Sequence, residues 1–382
     1  MAGSNTPQTW DIFCRVVDNF GDAGVCWRLA GILRREHDVP VRLWIDDLQT
    51  LRTLYPALDP EAPVQSCAGI TVCHWPQADP PKTDSAVVIE AFGCGLPAEW
   101  VTRMAQSTRP PLWIILEYLS AEAWVDSHHG LSSPHPQLSL PRYFFFPGFT
   151  PSTGGLPREA DLISRRDRFD TAAREVFWSK LGFAVPQATT ASLFAYADAP
   201  VAALLSAMAA DERPLVLAVP EGQLLATVRS CLGAEAAAGQ GLWQRGALEV
   251  RALPFLPQLQ YDELMWACDL NFVRGEDSFV RAQWAAKPLV WQPYRQDDSA
   301  HQHKMSAFLA RYCTGLEAPA ATALRAFWRD WNAGAADLAP TWTALRTEAA
   351  DLARHARRWA AKLADGGELA AQLVEFARRK VK

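Results

Sequence analysis

The sequence predicts an α/β protein made of two doubly wound domains that face each other across a cleft. Three observations carry this: a strand, acidic loop and helix near the start, two successive blocks in which strand and helix patterns alternate, and a second charged strand exit around residues 272–281. Alternation of this kind calls for parallel sheets covered by helices, and 382 residues are enough for two such cores.

Residues 10–17 alternate in polarity and read as the first strand. The loop after them, Asp18-Asn19-Phe20-Gly21-Asp22-Ala23-Gly24-Val25, leads into a helix whose Val25, Leu29, Ile32 and Leu33 fall at i, i+4, i+7 and i+8. Two carboxylates thus flank a glycine turn at a strand end, the end that faces the ligand crevice in open α/β sheets. A plainer reading stands beside it, with Asp22 as a helix N-cap and Asp18 as a turn residue. Residues 39–45 follow as a second strand and complete a βαβ unit; 70–75, 86–91 and 111–118 are further strands. The strand at 86–91 exits through Phe92-Gly93-Cys94-Gly95-Leu96-Pro97, which is neither G-x-G-x-x-G nor a P-loop. It reads either as a tight turn or as a phosphate cradle.

Regularity fails between about residues 132 and 157, where Pro134, Pro136, Pro141, Pro147, Pro151 and Pro157 mark a long connection. Its aromatic run, Tyr143-Phe144-Phe145-Phe146, is expected to tuck under the edge of the first sheet. A charged helix over residues 170–181 precedes the second block: strand 192–196, helix 201–209, strand 215–219, helix 224–232, strand 248–253, helix 261–267, and strands 270–273 and 288–291. Phe194 and Tyr196 then share one face of that block's first strand. From residue 307 the chain is rich in Ala, Trp and Arg at helical spacing. The domains are set at 1–185 and 186–382, the second carrying the helical tail. There is no short-period repeat.

A net charge of −5 gives no basic footprint for nucleic acid. The eight cysteines are scattered without a C-x-x-C pair, and Cys14, Cys73 and Cys268 lie in apolar runs, as buried thiols of a reducing compartment do. The first nine residues have no export signature and no apolar run approaches ~20 residues. A cytoplasmic protein with no membrane contact is expected.

The second charged strand exit, Arg274-Gly275-Glu276-Asp277-Ser278, places a fixed positive charge, a hydroxyl and a helix N-terminus together, which suits a phosphate. It is also an ordinary helix start with acids in its first turn. Leu253-Pro254-Phe255-Leu256-Pro257-Gln258 is a strand exit pinned by two prolines, offering a ring and an amide to a nucleobase. Phe194 and Tyr196 are either core or part of that base slot. His301-Gln302-His303 after Asp297-Asp298 reads as a metal cluster, a solvated surface or phosphate-side contacts. His128, His129 and His135 read as structural or exposed. Arg165-Arg166-Asp167-Arg168 reads as a solvated helix approach or as a docking contact for an acidic partner.

Five strings in order carry a resemblance: Asp18-Asn19-Phe20-Gly21-Asp22, Glu117-Tyr118-Leu119-Ser120-Ala121-Glu122, Tyr143-Phe144-Phe145-Phe146-Pro147-Gly148-Phe149, Pro254-Phe255-Leu256-Pro257-Gln258, and Arg274 through Gln283. Together they resemble the bacterial elongation factor P arginine rhamnosyltransferases, from about residue 10 to about 304. The resemblance implies a GT-B glycosyltransferase with two Rossmann-like domains and an inverting mechanism. It implies dTDP-β-L-rhamnose as donor, an arginine of translation elongation factor P as acceptor, and no metal or other cofactor. The family's aspartate pair falls on Asp18 and Asp22, and its acidic partner from the other domain on Glu276. The nucleotide-sugar contacts fall on Phe194, Tyr196, Phe255, Gln258, Tyr261, Arg274, Asp277 and Ser278, with Tyr294 a further candidate. Asn19, Phe20 and Gly21 lie in the loop near donor and acceptor. Tyr261 stands where phenylalanine is expected, and Ala195 where glycine is expected.

Inversion by single displacement needs one base near the attacking nitrogen and a stabilised leaving nucleotide. A guanidinium is a poor nucleophile because its charge is delocalised, and carboxylates can hold it and accept its proton. Asp22 is assigned that role, with Asp18 orienting loop or acceptor; the exchange of these two roles stays open. Arg274 and the helix N-terminus after it would offset charge on the departing pyrophosphate. Two other functions remain: a GT-B enzyme with a different nucleotide sugar or acceptor, and a non-catalytic nucleotide-sugar-binding regulator. The regulator would have no use for Asp18, Asp22 and Glu276 together.

Overall fold

The computed structural model describes residues 8–18, 20–75, 85–135, 138, 140–233, 237–239, 241–295 and 300–381, with 237–239 as backbone. The chain divides into two compact units, Met1–Ala160 with Leu363–Lys382, and Asp161–Lys362.

The strands of the first unit are β1 (Trp10–Cys14), β2 (Val41–Ile45), β3 (Val64–Cys67), β4 (Ile70–His74), β5 (Val87–Ala91), β6 (Leu112–Leu116), β7 (Ser132–Pro134) and β8 (Pro141–Phe145). Its helices are α1 (Phe20–Glu36), α2 (Leu48–Leu54), α3 (Ala98–Gln106) and α4 (Val125–His128). Sheet order is β3-β4-β2-β1-β5-β6-β8-β7, with the outermost strands antiparallel to their neighbours and the rest parallel. Without those edge strands this is the doubly wound order, whose reversal falls between β1 and β5. β1 is buried along its whole length, as a central parallel strand must be. Ile12 and Cys14 pack with Leu29, Ile32 and Leu33 of α1, while Phe13 packs with Trp44, Trp100 and Met104.

The second unit holds β9 (Thr189–Leu193), β10 (Leu215–Pro220), β11 (Ala237–Gly239), β12 (Leu242–Arg245), β13 (Leu248–Leu253), β14 (Leu270–Arg274) and β15 (Leu289–Gln292). Helices α5 (Leu162–Asp167), α6 (Thr171–Lys180), α7 (Val201–Ala209), α8 (Gln223–Leu232), α9 (Gln258–Ala267) and α10 (Asp277–Trp284) alternate with them. A helical run follows: α11 (Ala300–Tyr312), α12 (Ala318–Asn332), α13 (Ala339–Thr347), α14 (Ala349–Ala364) and α15 (Leu369–Lys380). Sheet order is β11-β12-β13-β10-β9-β14-β15, parallel from β13 to β15, with the reversal between β9 and β14.

Three expectations are corrected. The run Tyr143–Phe146 does not tuck under the sheet edge; most of it is strand β8 within the sheet, paired to β6 and β7. Pro141 opens that strand, where a missing N–H is tolerated, so proline there did not exclude a strand. The second block's first strand ends at Leu193, which leaves Phe194 and Tyr196 just beyond it rather than on it. The division also differs from 185/186: α5 and α6 belong to the second unit, and α15 belongs to the first. There Leu369, Leu373 and Val374 join the core around β1 and α1, because that face of the sheet needs cover.

The Phe92–Pro97 exit is a tight turn. Phe92, Gly93 and Gly95 have φ of 57°, 61° and 71°, and the Gly95 N–H donates to Glu90 Oε1 at 2.9 Å. Cys14, Cys73 and Cys268 are buried free thiols. No described helix is long and apolar enough to cross a membrane.

Candidate active site

In the first unit the acidic loop leaves the carboxyl end of β1, beside the sheet's reversal point. Asp22 is the third residue of α1, not the N-cap of the plainer reading. Its carboxylate turns back to the loop instead, where Oδ2 accepts the N–H groups of Val17 and Asp18, each at 2.9 Å. The Tyr118 hydroxyl, two residues past β6, donates to Oδ1 at 3.2 Å. Asp22 is 1% exposed and Asp18 9%. Burial pushes the Asp22 carboxyl above its ordinary range, against the lowering effect of the two N–H bonds and of Tyr118.

The loop is tightly constrained. The Gly21 N–H donates to the Asp18 carbonyl at 2.7 Å, and a Cβ at Gly21 would lie 2.7 Å from Asp18 Oδ2. A side chain at position 21 would therefore displace the Asp18 carboxylate from its place over the helix start. Asp46, just past β2, anchors the loop's approach by accepting the Val16 N–H at 2.9 Å. Phe20 is half-buried, and Asn19 lies outside the described residues. Tyr118 belongs to one of the strings that carried the resemblance, yet sequence reasoning gave it no role. Its proximity to Asp22 depends on β6 lying two strands from β1.

In the second unit the candidate donor residues gather where β9 and β14 diverge. The Arg274 guanidinium lies over the rings of Phe194 and Tyr196, 4.5 and 4.6 Å from their centroids. Tyr261 meets Phe194 edge-on at 5.6 Å, and Tyr294 meets Tyr196 at 5.8 Å. The Ser278 hydroxyl donates to the Arg274 carbonyl at 2.5 Å and accepts the Arg274 N–H at 3.1 Å, closing the turn into α10. The Gln258 side-chain amide donates to Asp277 Oδ2 at 3.3 Å and so links the starts of α9 and α10. Phe255 stands half-buried in the turn before α9, and Glu276 half-buried at the start of α10 without capping it. Gln292 was missed: its Oε1 accepts the Tyr196 N–H at 2.8 Å, and its Nε2 donates to Asp198 at 3.0 Å. Only the pairing of β15 with β14 brings it there. The Tyr261 hydroxyl is buried without a hydrogen-bond partner among the described residues, and burial raises its pKa.

Several of the remaining candidates make contacts within their own unit. Arg165 pairs with Asp161, and Arg166 with Asp167 and the Trp284 carbonyl. His129 Nδ1 accepts the Phe146 N–H, and His135 stacks against Trp113. No group of three metal-capable side chains occurs among the described residues, and Asp297 and Asp298 lie outside them.

A family model described as elongation factor P (EF-P) rhamnosyltransferase EarP matches residues 10–378. A protein-arginine rhamnosyltransferase of Pseudomonas putida is 48% identical over 98% of this chain and 99% of its own length. That of Pseudomonas aeruginosa is 46% identical over 96% and 98%. A solved structure described as the structural basis for EarP-mediated arginine glycosylation of translation elongation factor EF-P is 36% identical, with a TM-score of 0.68, covering 97% of this chain and 99% of the other.

Proposed function

The chain belongs to the family of elongation factor P rhamnosyltransferases, protein-arginine rhamnosyltransferases of GT-B fold, and from that premise we propose that it moves L-rhamnose from dTDP-β-L-rhamnose to an arginine of elongation factor P. The observation that supports this most is the pair of buried carboxylates, Asp18 and Asp22, at the carboxyl end of β1. A guanidinium acceptor calls for such carboxylates, which hold the cation and take its proton.

In this reading the guanidinium nitrogen attacks the anomeric carbon as the bond from that carbon to the β-phosphate oxygen breaks. The configuration inverts and dTDP leaves. The proton goes to Asp22, and Asp18 orients the acceptor. Glu276, at the start of α10, is the acidic group assigned to the reaction from the second unit. Phe194, Tyr196, Phe255 and Tyr261 supply rings for the base and sugar, with Tyr294 beside Tyr196. Gln258, Asp277 and Ser278 supply hydrogen bonds. Arg274 and the first turn of α10 offset the pyrophosphate charge, a stabilisation that needs no metal ion. The reading places the reaction in the cytoplasm, where the acceptor translation factor works.

The test is the intact mass of elongation factor P after incubation with the enzyme and dTDP-rhamnose, in the presence of a chelator. A gain of one deoxyhexosyl residue, mapped to an arginine, is expected. An unmodified acceptor, or modification only after divalent metal is restored, would overturn the corresponding part of the proposal.

A further inference from the structure

We propose that Tyr118 is a positioning residue that aims Asp22 Oδ1 at the acceptor nitrogen, an inference that rests on the reading of Asp22 as the base. The two oxygens of Asp22 are not equivalent. Oδ2 accepts two backbone N–H bonds at 2.9 Å, which fix it to the loop and lower its basicity. Proton acceptance is left to Oδ1, whose hydrogen bond comes from the Tyr118 hydroxyl at 3.2 Å. That is longer than the usual O–H···O separation of about 2.7–2.8 Å. A carboxylate oxygen has two lone pairs, so the bond fixes the carboxylate's rotation while leaving Oδ1 able to accept a second proton donor.

Tyr118 is itself held in place. Its ring stacks on Phe92 at 4.4 Å with an interplanar angle of 13°. Phe92 occupies the left-handed region at φ 57°, unusual for an aromatic residue, in the turn that Glu90 pins through Gly95. A strained turn after β5 thus supports a ring after β6 that orients a carboxylate after β1.

Among the described residues, the groups that act on Asp22 include the backbone N–H groups of Val17 and Asp18 in its own loop, Asp46 after β2, Cys14 on β1 and Tyr118 after β6. Burial and the negative charge of Asp46 disfavour ionised Asp22, whereas the two N–H donors and Tyr118 favour it. Tyr118 therefore has a second effect besides aim: it keeps the base deprotonated at lower pH.

The test is Tyr118→Phe, which removes one oxygen and retains the ring on Phe92. The expected result is a fall in kcat of about 10–100-fold with acceptor KM and dTDP affinity nearly unchanged. The acid limb of the kcat/KM profile moves up by roughly one pH unit, because losing a donor to the charged form raises a carboxyl pKa. Carbon-13 NMR of the Asp22 carboxyl in the free enzyme, with neither donor nor acceptor present, is expected to read the same upward shift. Wild-type kcat in Tyr118→Phe would overturn the proposal. So would lost activity with the acid limb and the Asp22 titration both unmoved, since that is what a merely structural tyrosine gives. Asp22→Asn, measured in parallel, separates the two levels: an inactive variant leaves the base assignment standing whatever Tyr118 does. An active one removes that assignment and the role of Tyr118 together.

Discussion

At the scale of single residues, Asp22 carries the most physical information. Burial raises its pKa, so ionising it works against the fold. Its contribution to stability is present at low pH and is lost as pH rises through the raised value, whereas the proposed catalysis needs the charge that burial opposes. Asp22→Asn keeps the shape and removes the charge. Turnover is expected to fall at least ~100-fold, while the Tm at neutral pH stays level or rises; near-normal turnover in a rate assay would move the role to Asp18 or Glu276. In the second unit, Arg274 lies over Phe194 and Tyr196, so one side chain would tie the proposed phosphate and base subsites together. Phe255→Ala is expected to weaken dTDP by about 1–3 kcal/mol, by analogy with base stacking on aromatic rings. Arg274→Ala is expected to weaken dTDP as well, through the diphosphate. Calorimetry giving wild-type dTDP affinity for both variants would refute the donor-site assignment.

At the scale of elements, α15 shows how a helix can be legible while its destination is not. Its apolar spacing was visible as part of a helical tail, but β1, at the centre of the sheet it covers, lies more than 350 residues earlier in the chain. Glu368 caps it by accepting the N–H groups of Ala370 and Ala371. Leu369, Ala370 and Leu373 are fully buried against the first unit's core. Leu373→Ala is expected to cost ~2–5 kcal/mol, the range for a buried leucine, read as a lower denaturant midpoint; a loss under ~0.5 kcal/mol would mean the helix contributes little to that core. Gly155 lies where the helix returns. At φ 71°, a Cβ there would stand 1.9 Å from the Gly367 carbonyl oxygen, so no side chain fits without displacing backbone.

At the scale of the whole molecule, the proposed reaction sets a demand on the acceptor. A lone arginine offers one guanidinium and little else, so most acceptor binding energy must come from the folded partner around it. Remote contacts that hold the nucleophile in line can supply several kcal/mol of barrier reduction. Folded elongation factor P is therefore expected to show a kcat/KM at least ~10-fold above that of a linear peptide bearing the same arginine. Equal values under one set of conditions would show that local sequence, not a docked surface, is read.

The sequence by itself determined the α/β class and most of the second unit's alternation, and it located the two charged strand exits, because hydrophobic period and turn chemistry are local. Its motif strings also pointed to the family that the comparisons show. Only the tertiary structure decided which strands neighbour one another. That order puts the Asp18–Asp22 loop beside Tyr118, places Gln292 behind Tyr196, makes a strand of a proline-flanked aromatic run, and sends α15 back to the first sheet. The plainer reading of Asp22 as an N-cap gave way for the same reason. A carboxylate at a helix start has several N–H groups within reach, and the path of the loop before it, fixed by Gly21 and Asp46, selects which of them it accepts.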